Sequence, residues 1–461
     1  MTTLLSREIT VDDPRTGEPV SRVPVATEER CAEAVRAARA AAPGWARTPA
    51  AERGAALHAA AEAVRAAADE LAELNTRETG KLRDDSRGGV DAGIGTLVQY
   101  AELGPVHRGR TLHGGWAAAD LMVPEPRGVV AVITPWNDPV AIAAGLIGAA
   151  LATGNTVVHK PSERCPATGR RFAELLAAHL PAGVLEIVDG DGPVGAALAG
   201  AAVDVVAHVG GSAAGRAIAQ AGARTGAHVL RENGGNDALI VDAGVDPVWA
   251  AAQAALGSFA NAGQICVSVE RVLVHEGVAG TFLAALEREA AKWAERIGPL
   301  VDRRHREHVH GHVEAARRAG AEVRAGGAVP DGPGAFYPPT VLAQVENRML
   351  VAQEEIFGPV VTVIPFEDEK DAIRIANDVK YGLFATVWTG DPARGHRVAA
   401  RIESGMVGVN MPYTGFPGVA FGGFKQSGFG RELGIDTLDL YLETKSILVS
   451  TSPKPINPWA L

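Results

Sequence analysis

Apolar residues recur along this chain with two different periods. Residues 28–42 and 50–79 gather Ala, Val and Leu on one side of a 3.6-residue turn and Arg and Glu on the other, which predicts Ala-rich amphipathic helices with a solvated face. From residue 129 onward the pattern changes to short apolar runs at 129–134, 156–159, 184–188, 205–209 and 238–241, most of them separated by helical stretches. Runs this short and apolar predict strands buried on both faces. Their alternation with helices predicts a parallel sheet closed by crossover helices, a nucleotide-binding α/β layout. The apolar run 140–152 is too short to cross a bilayer and predicts a helix packed under the preceding strand. Residues 112–124 interrupt the first half as an excursion, and 446–450 form a β-rich tail ahead of Pro453, Pro455 and Pro458. There is no internal repeat and no low-complexity linker.

Composition adds limits. A chain of 461 residues exceeds one simple core and predicts two or three domains. A net charge of −10 leaves no basic stripe to replace phosphate counterions, so nucleic acid is not an expected partner. Residues 1–25 lack a basic segment followed by an apolar one, and no export signal or membrane span is expected. Three cysteines at wide spacing, Cys31, Cys165 and Cys266, support neither a disulfide framework nor a metal site and suit a reducing cytoplasm.

Candidate chemistry concentrates around Cys266. In Asn261-Ala262-Gly263-Gln264-Ile265-Cys266-Val267 the thiol follows small and permissive residues, which lets another molecule approach the sulfur. A lone cysteine is more often core filler, and it is the company of Cys266 that overturns this. Glu232 ends an apolar stretch just before Gly234-Gly235, where catalytic groups of α/β proteins project, although alone it reads as a surface charge. Asn137, in Thr134-Pro135-Trp136-Asn137-Asp138-Pro139, offers a fixed carboxamide to a developing oxyanion, or simply a turn that caps a strand. Gly210-Gly211-Ser212-Ala213-Ala214-Gly215 follows a strand and opens a helix near Arg216. Such a turn admits a pyrophosphate to free helix N–H groups, but it is common elsewhere.

Taken together, these segments resemble the NAD(P)-dependent aldehyde dehydrogenases nearly from end to end. The matching blocks run in order: Pro135-Trp136-Asn137; Lys160-Pro161-Ser162-Glu163; Val209-Gly210-Gly211-Ser212 with Gly215; Glu232 with Gly234-Gly235; Gly263-Gln264-Ile265-Cys266; Glu355-Ile356-Phe357-Gly358-Pro359-Val360; Asn410; and Phe421-Gly422-Gly423-Phe424-Lys425 with Ser427-Gly428 and Gly430-Arg431-Glu432.

The resemblance implies an α/β fold with a Rossmann-like parallel-sheet cofactor domain at 1–107 and 126–232 and an α/β catalytic domain at 233–430. It also implies a small antiparallel extension at 108–125 and 431–461 that pairs subunits into a homodimer or homotetramer. It implies that Cys266 attacks an aldehyde, that Asn137 and the Cys266 amide hold the oxyanion, and that Glu232 activates the water that hydrolyses the thioester. Transfer to coenzyme A is not expected where that base is present. Trp136, Lys160, Ser162, Glu163, Gly210, Gly211, Gly215, Glu355 and Phe357 would hold the cofactor. Glu163 would accept from a ribose 2′-OH and repel a 2′-phosphate, which favours NAD over NADP.

Several positions depart from the family pattern. Asp138 replaces an aromatic, Gly145 a tryptophan of the substrate tunnel and Leu146 a lysine of the proton relay. Asn233 and Asn236 replace Leu and Lys, and His208 replaces a phenylalanine, while Phe421 keeps an apolar wall. The expected substrate is therefore a small or polar aldehyde, with Asp138 either meeting a cationic or hydrogen-bonding group on it or serving as a surface turn. Two other readings stay open: a thiol esterase or acyl transferase without redox chemistry, and a catalytically weak NAD-binding scaffold.

Overall fold

The computed structural model describes residues 7–112, 118–412 and 418–450. Among the described residues the strands form four sheets. The first is six-stranded, in the order Gly428–Phe429, His228–Glu232, Val205–Val209, Val129–Ile133, Thr156–Lys160, Leu185–Ile187, and its last five strands are parallel. Val129–Ile133, Thr156–Lys160 and Val205–Val209 are buried at every position, as strands covered on both faces must be. Alternate residues serve the two faces. Val130 and Val132 pack with the helix Pro139–Ala152, whereas Val129, Ala131 and Ile133 pack with Ala34, Val35 and Ala38 of the helix Glu28–Arg47.

The second sheet is seven-stranded, in the order Glu322–Ala325, Thr340–Ala343, Val360–Phe366, Val269–His275, Asp237–Val241, Phe384–Trp388, Met406–Val409. It is parallel except for its first strand. The helices Pro247–Phe259 and Glu276–Ala294 cover one face and Arg303–Arg318 the other. A three-stranded antiparallel sheet joins Arg110–Leu112 and Ala118–Pro126 to Leu442–Ser450, which is an edge strand exposed from Glu443 onward. The strands Glu8–Asp12 and Pro19–Pro24 form a hairpin. The tail prolines 453, 455 and 458 lie outside the described residues.

Four sequence expectations need correction. The run at 238–241 is not part of the first parallel sheet but an inner strand of the second, because two-sided burial looks alike in either sheet. The helix after Gly211 begins at Ser212 rather than near Arg216. Residues 50–79 form two helices that break at Ala67, and the helix expected at 28–42 continues through Pro43 to Arg47, where the Trp45 indole donates to the Leu151 carbonyl at 3.1 Å. The long helix Arg83–Val106 was not legible, because its glycines weaken the helical pattern. In the fold they let it lie close against Pro139–Ala152.

Candidate active site

Cys266 sits between the end of the helix Pro247–Phe259 and the strand Val269–His275. The intervening turn holds three consecutive left-handed residues, Asn261, Ala262 and Gly263, at φ of 48°, 54° and 71°. Gly263 is required there on two counts, since a Cβ would also lie 2.1 Å from the Gly358 carbonyl oxygen. The turn is tied by its own amides: Asn261 Nδ2 donates to the Gln264 carbonyl at 3.2 Å and Gln264 Nε2 to the Asn261 carbonyl at 3.0 Å. Gln264 Oε1 accepts from the Val301 amide at 2.8 Å, which pins the turn to the neighbouring loop. Cys266 is thus held half-buried on the wall of a cavity of about 530 Å³. Burial first, and then the charges of Asp237, Glu355, Glu232 and Glu432, push its thiol above the ordinary range.

Asn137 and Glu232 line the same cavity. Asn137 follows the strand Val129–Ile133, and its carbonyl accepts from Lys81 Nζ at 3.3 Å. Glu232 ends its strand opposite Gly428 and is fully enclosed. Burial and the neighbouring Glu432 raise its carboxyl well above the usual range, while Arg431 and the Gly423 amide oppose that shift. Glu432 is buried too, and burial pushes it up to about 8. Its backbone is bridged to Phe421 in both directions, at 2.6 and 2.7 Å. Gly145 faces this pair, its Cβ direction ending 3.6 Å from Glu432 Oε2. Leu146, in the position of the family's relay lysine, is buried in the apolar core.

The cavity continues past Gly210 and Gly211 to Glu163, Glu355 and Phe357. Gly211 precedes the helix Ser212–Thr225, which has no side-chain cap, so its first N–H groups are available to an anion. Trp136 stands edge-on to Phe357 at 5.4 Å, and Glu355 accepts from the Gly235 amide at 3.1 Å. Lys160 lies beneath the wall, with Nζ donating to the Pro161 carbonyl at 2.8 Å and standing 3.7 Å from Glu163. A dinucleotide fits this donor set: an uncapped helix start for the pyrophosphate, a carboxylate for a ribose and an aromatic slot for a planar ring.

Some predicted residues lie elsewhere. Asp138 does not line the cavity; its carboxylate is paired with Lys81 Nζ at 3.1 Å, because the loop turns it toward the helix Arg83–Val106. The Ser162 hydroxyl accepts from the Arg164 amide at 3.3 Å and so holds the turn. Gly215 packs against Asn233, where a Cβ would fall 2.1 Å from Oδ1. Phe421 is at the thiol's side, clustered with Cys266, Val267 and Phe384. Sequence reasoning missed Arg164, Arg304, His305 and His308, which line the cofactor end of the cavity. The run Arg303-Arg304-His305-Arg306-Glu307-His308 signals only a polar helix, and nothing local shows that it faces a cleft. Glu432 was quoted within a motif without a role, since its proximity to Glu232 is purely tertiary. Among the described residues no cluster of His, Cys, Asp and Glu could hold a metal ion, and no helix is long and apolar enough to cross a membrane.

A thiol, a carboxamide and a buried carboxylate on one cavity between two largely parallel sheets, with an uncapped helix start at its far end, suit a cysteine-dependent oxidoreductase. The chain belongs to the aldehyde dehydrogenase family, whose profile matches residues 3–447, and it is an enzyme that oxidises aldehydes with a nicotinamide dinucleotide as hydride acceptor. It is 37% identical over 460 residues to the 2-hydroxymuconic semialdehyde dehydrogenase of Pseudomonas sp. (strain CF600), covering 95% of each chain. It is 36% identical to the betaine aldehyde dehydrogenase of Bacillus subtilis (strain 168), covering 96% of this chain and 94% of that one. A solved betaine aldehyde dehydrogenase from Staphylococcus aureus in complex with NAD+ superposes with a TM-score of 0.95 at 34% identity, covering 99% of this chain and 94% of that one.

Proposed function

We propose that this enzyme oxidises a small polar aldehyde to its carboxylic acid by covalent catalysis at Cys266, with hydrolytic release. The observation that carries the reading is that Cys266, Asn137 and Glu232 line one cavity together with Gly210, Gly211, Glu163, Glu355 and Phe357. Cys266 adds to the aldehyde carbon as the thiolate, its proton having left to solvent, and the oxyanion is met by the Asn137 carboxamide and the Cys266 amide. The bound dinucleotide supplies the acceptor for the hydride that leaves this carbon. Glu232 then takes a proton from the water that cleaves the thioester on Cys266. Glu432 shares the buried site with Glu232 and holds a proton at neutral pH.

NAD is favoured over NADP because Glu163 lies at the cleft with its carboxylate partly exposed, where it repels a 2′-phosphate. For the substrate, Asn137, Glu232 and Asn233 line the cavity together with Cys266, Phe421 stands at the thiol's side, and Asp138 is paired with Lys81. This supports a small polar aldehyde, in keeping with relatives that act on betaine aldehyde and 2-hydroxymuconic semialdehyde. The edge strand Leu442–Ser450, with Leu448 77% exposed, supports pairing with a second copy of the chain. Three unbonded cysteines fit the cytoplasm. The test is a panel of succinic semialdehyde, betaine aldehyde, acetaldehyde and benzaldehyde, read by cofactor reduction with NAD and NADP at equal concentration. The highest kcat/KM is expected with a polar aldehyde, succinic semialdehyde or betaine aldehyde, and NAD. A preference for benzaldehyde refutes the substrate reading, and ester turnover without cofactor reduction refutes the redox reading.

A further inference from the structure

Glu270 belongs to the strand Val269–His275, whose first six positions are all buried. A carboxylate in such a strand is costly unless donors meet it, and an apolar residue would serve the sheet better. Donors do meet it, and they come from one loop. Glu270 Oε1 accepts from the Phe357 amide at 2.8 Å and the Ile356 amide at 2.9 Å, and Oε2 from the Ile356 amide at 3.0 Å. Asn236 Nδ2 adds a bond to Oε2 at 2.8 Å and also donates to the Glu354 carbonyl at 3.0 Å. The same side chains thus grip both flanks of Glu355.

Phe357 has a left-handed backbone, φ 55°, which a bulky side chain adopts only when its surroundings hold it there. Its N–H is held by Glu270, and its carbonyl accepts from His305 Nε2 at 2.7 Å. The ring so placed stands edge-on to Trp136 at 5.4 Å and to His305 at 6.0 Å, and all three residues line the cavity. We infer that Glu270 is a positioning residue for the cofactor: it fixes Phe357 in its strained conformation and thereby sets the width of the aromatic slot beside Trp136. This rests on the proposal that the Trp136–Phe357 end of the cavity takes the dinucleotide.

Glu270→Gln keeps the volume but turns an NH₂ group toward the Ile356 amide or Asn236, donor against donor. NADH affinity should fall about tenfold in a fluorescence titration, and the cofactor KM should rise by a similar factor, while kcat changes less than about threefold. Hydrogen exchange should quicken across 354–358 and stay unchanged in the rest of the seven-stranded sheet. Phe357→Gly removes the strain, since glycine takes this φ freely. In that background Glu270→Gln should alter NADH affinity by less than about threefold. If Glu270→Gln does not fold, Asn236→Ser, which removes one donor, should weaken NADH by about threefold. Equal NADH affinity in the folded variant and the parent, or an undiminished effect in the Phe357→Gly background, overturns the inference. A parent protein that binds no NADH overturns instead the cofactor reading beneath it.

Discussion

Replacing Glu432 by Gln removes the carboxyl group buried next to that of Glu232 while keeping the side-chain volume and the backbone bridge to Phe421. In the parent, burial is the larger cause that lifts Glu232 and the charge of Glu432 the second. Two like charges sharing a site of effective dielectric near 20 repel by about 1.5–3 kcal/mol, or roughly one to two pH units. Glu432 itself is pushed up to about 8, so this repulsion develops as pH climbs through that value. The two groups titrate as a pair, and the observable is the acid limb of thioester hydrolysis. In Glu432→Gln that limb should move to lower pH by about one unit, with hydride transfer little altered. The assay preforms the acyl-enzyme and follows carboxylic acid release by quenched flow from pH 6 to 10. An unchanged limb, or one moved to higher pH, refutes the claim that Glu432 holds the base back.

The same substitution has a stability signature. Glu432 is raised in the fold from an ordinary value of 4.5 to about 8, so its favourable contribution is complete below about 4.5 and is lost as pH rises through about 8. Relative to the parent, Glu432→Gln should gain about 4 kcal/mol between pH 5 and pH 8.5, measured by urea unfolding. Lys81→Met leaves Asp138, 32% exposed, without its partner and should cost about 1 kcal/mol by the same method, with no loss of NADH affinity. Glu163→Gln should narrow the preference for NAD over NADP in kcat/KM by about tenfold, read from paired titrations. Leu448→Lys, at the exposed edge strand, should lower the molecular mass seen by light scattering.

Much of this fold is visible in the sequence because strands buried on both faces must be apolar throughout, as Val129–Ile133 and Val205–Val209 are. That same uniformity hides which sheet a strand joins, so periodicity alone groups Asp237–Val241 with strands of the first sheet. Cys266, Glu232 and Asn137 stood out because each lies within three residues of a Gly or Pro, where backbone geometry is locally encoded. Asp138 looked equally chemical, yet a lysine 57 positions away decides its fate. His305 and His308 reach the cavity only through the packing of the helix Arg303–Arg318 on the second sheet. Glu270 and Glu432 carry no local signal, because what distinguishes them is the donors or charges that distant segments bring.

The central claim is that a covalent acyl group rests on Cys266 until Glu232 prepares water to remove it. Intact-protein and peptide mass spectrometry of Glu232→Gln, mixed with NAD and a semialdehyde, tests this most directly. The account predicts one equivalent of reduced cofactor and a persistent acyl mass on the peptide containing Cys266. Continued steady turnover with no adduct at that sulfur would contradict it.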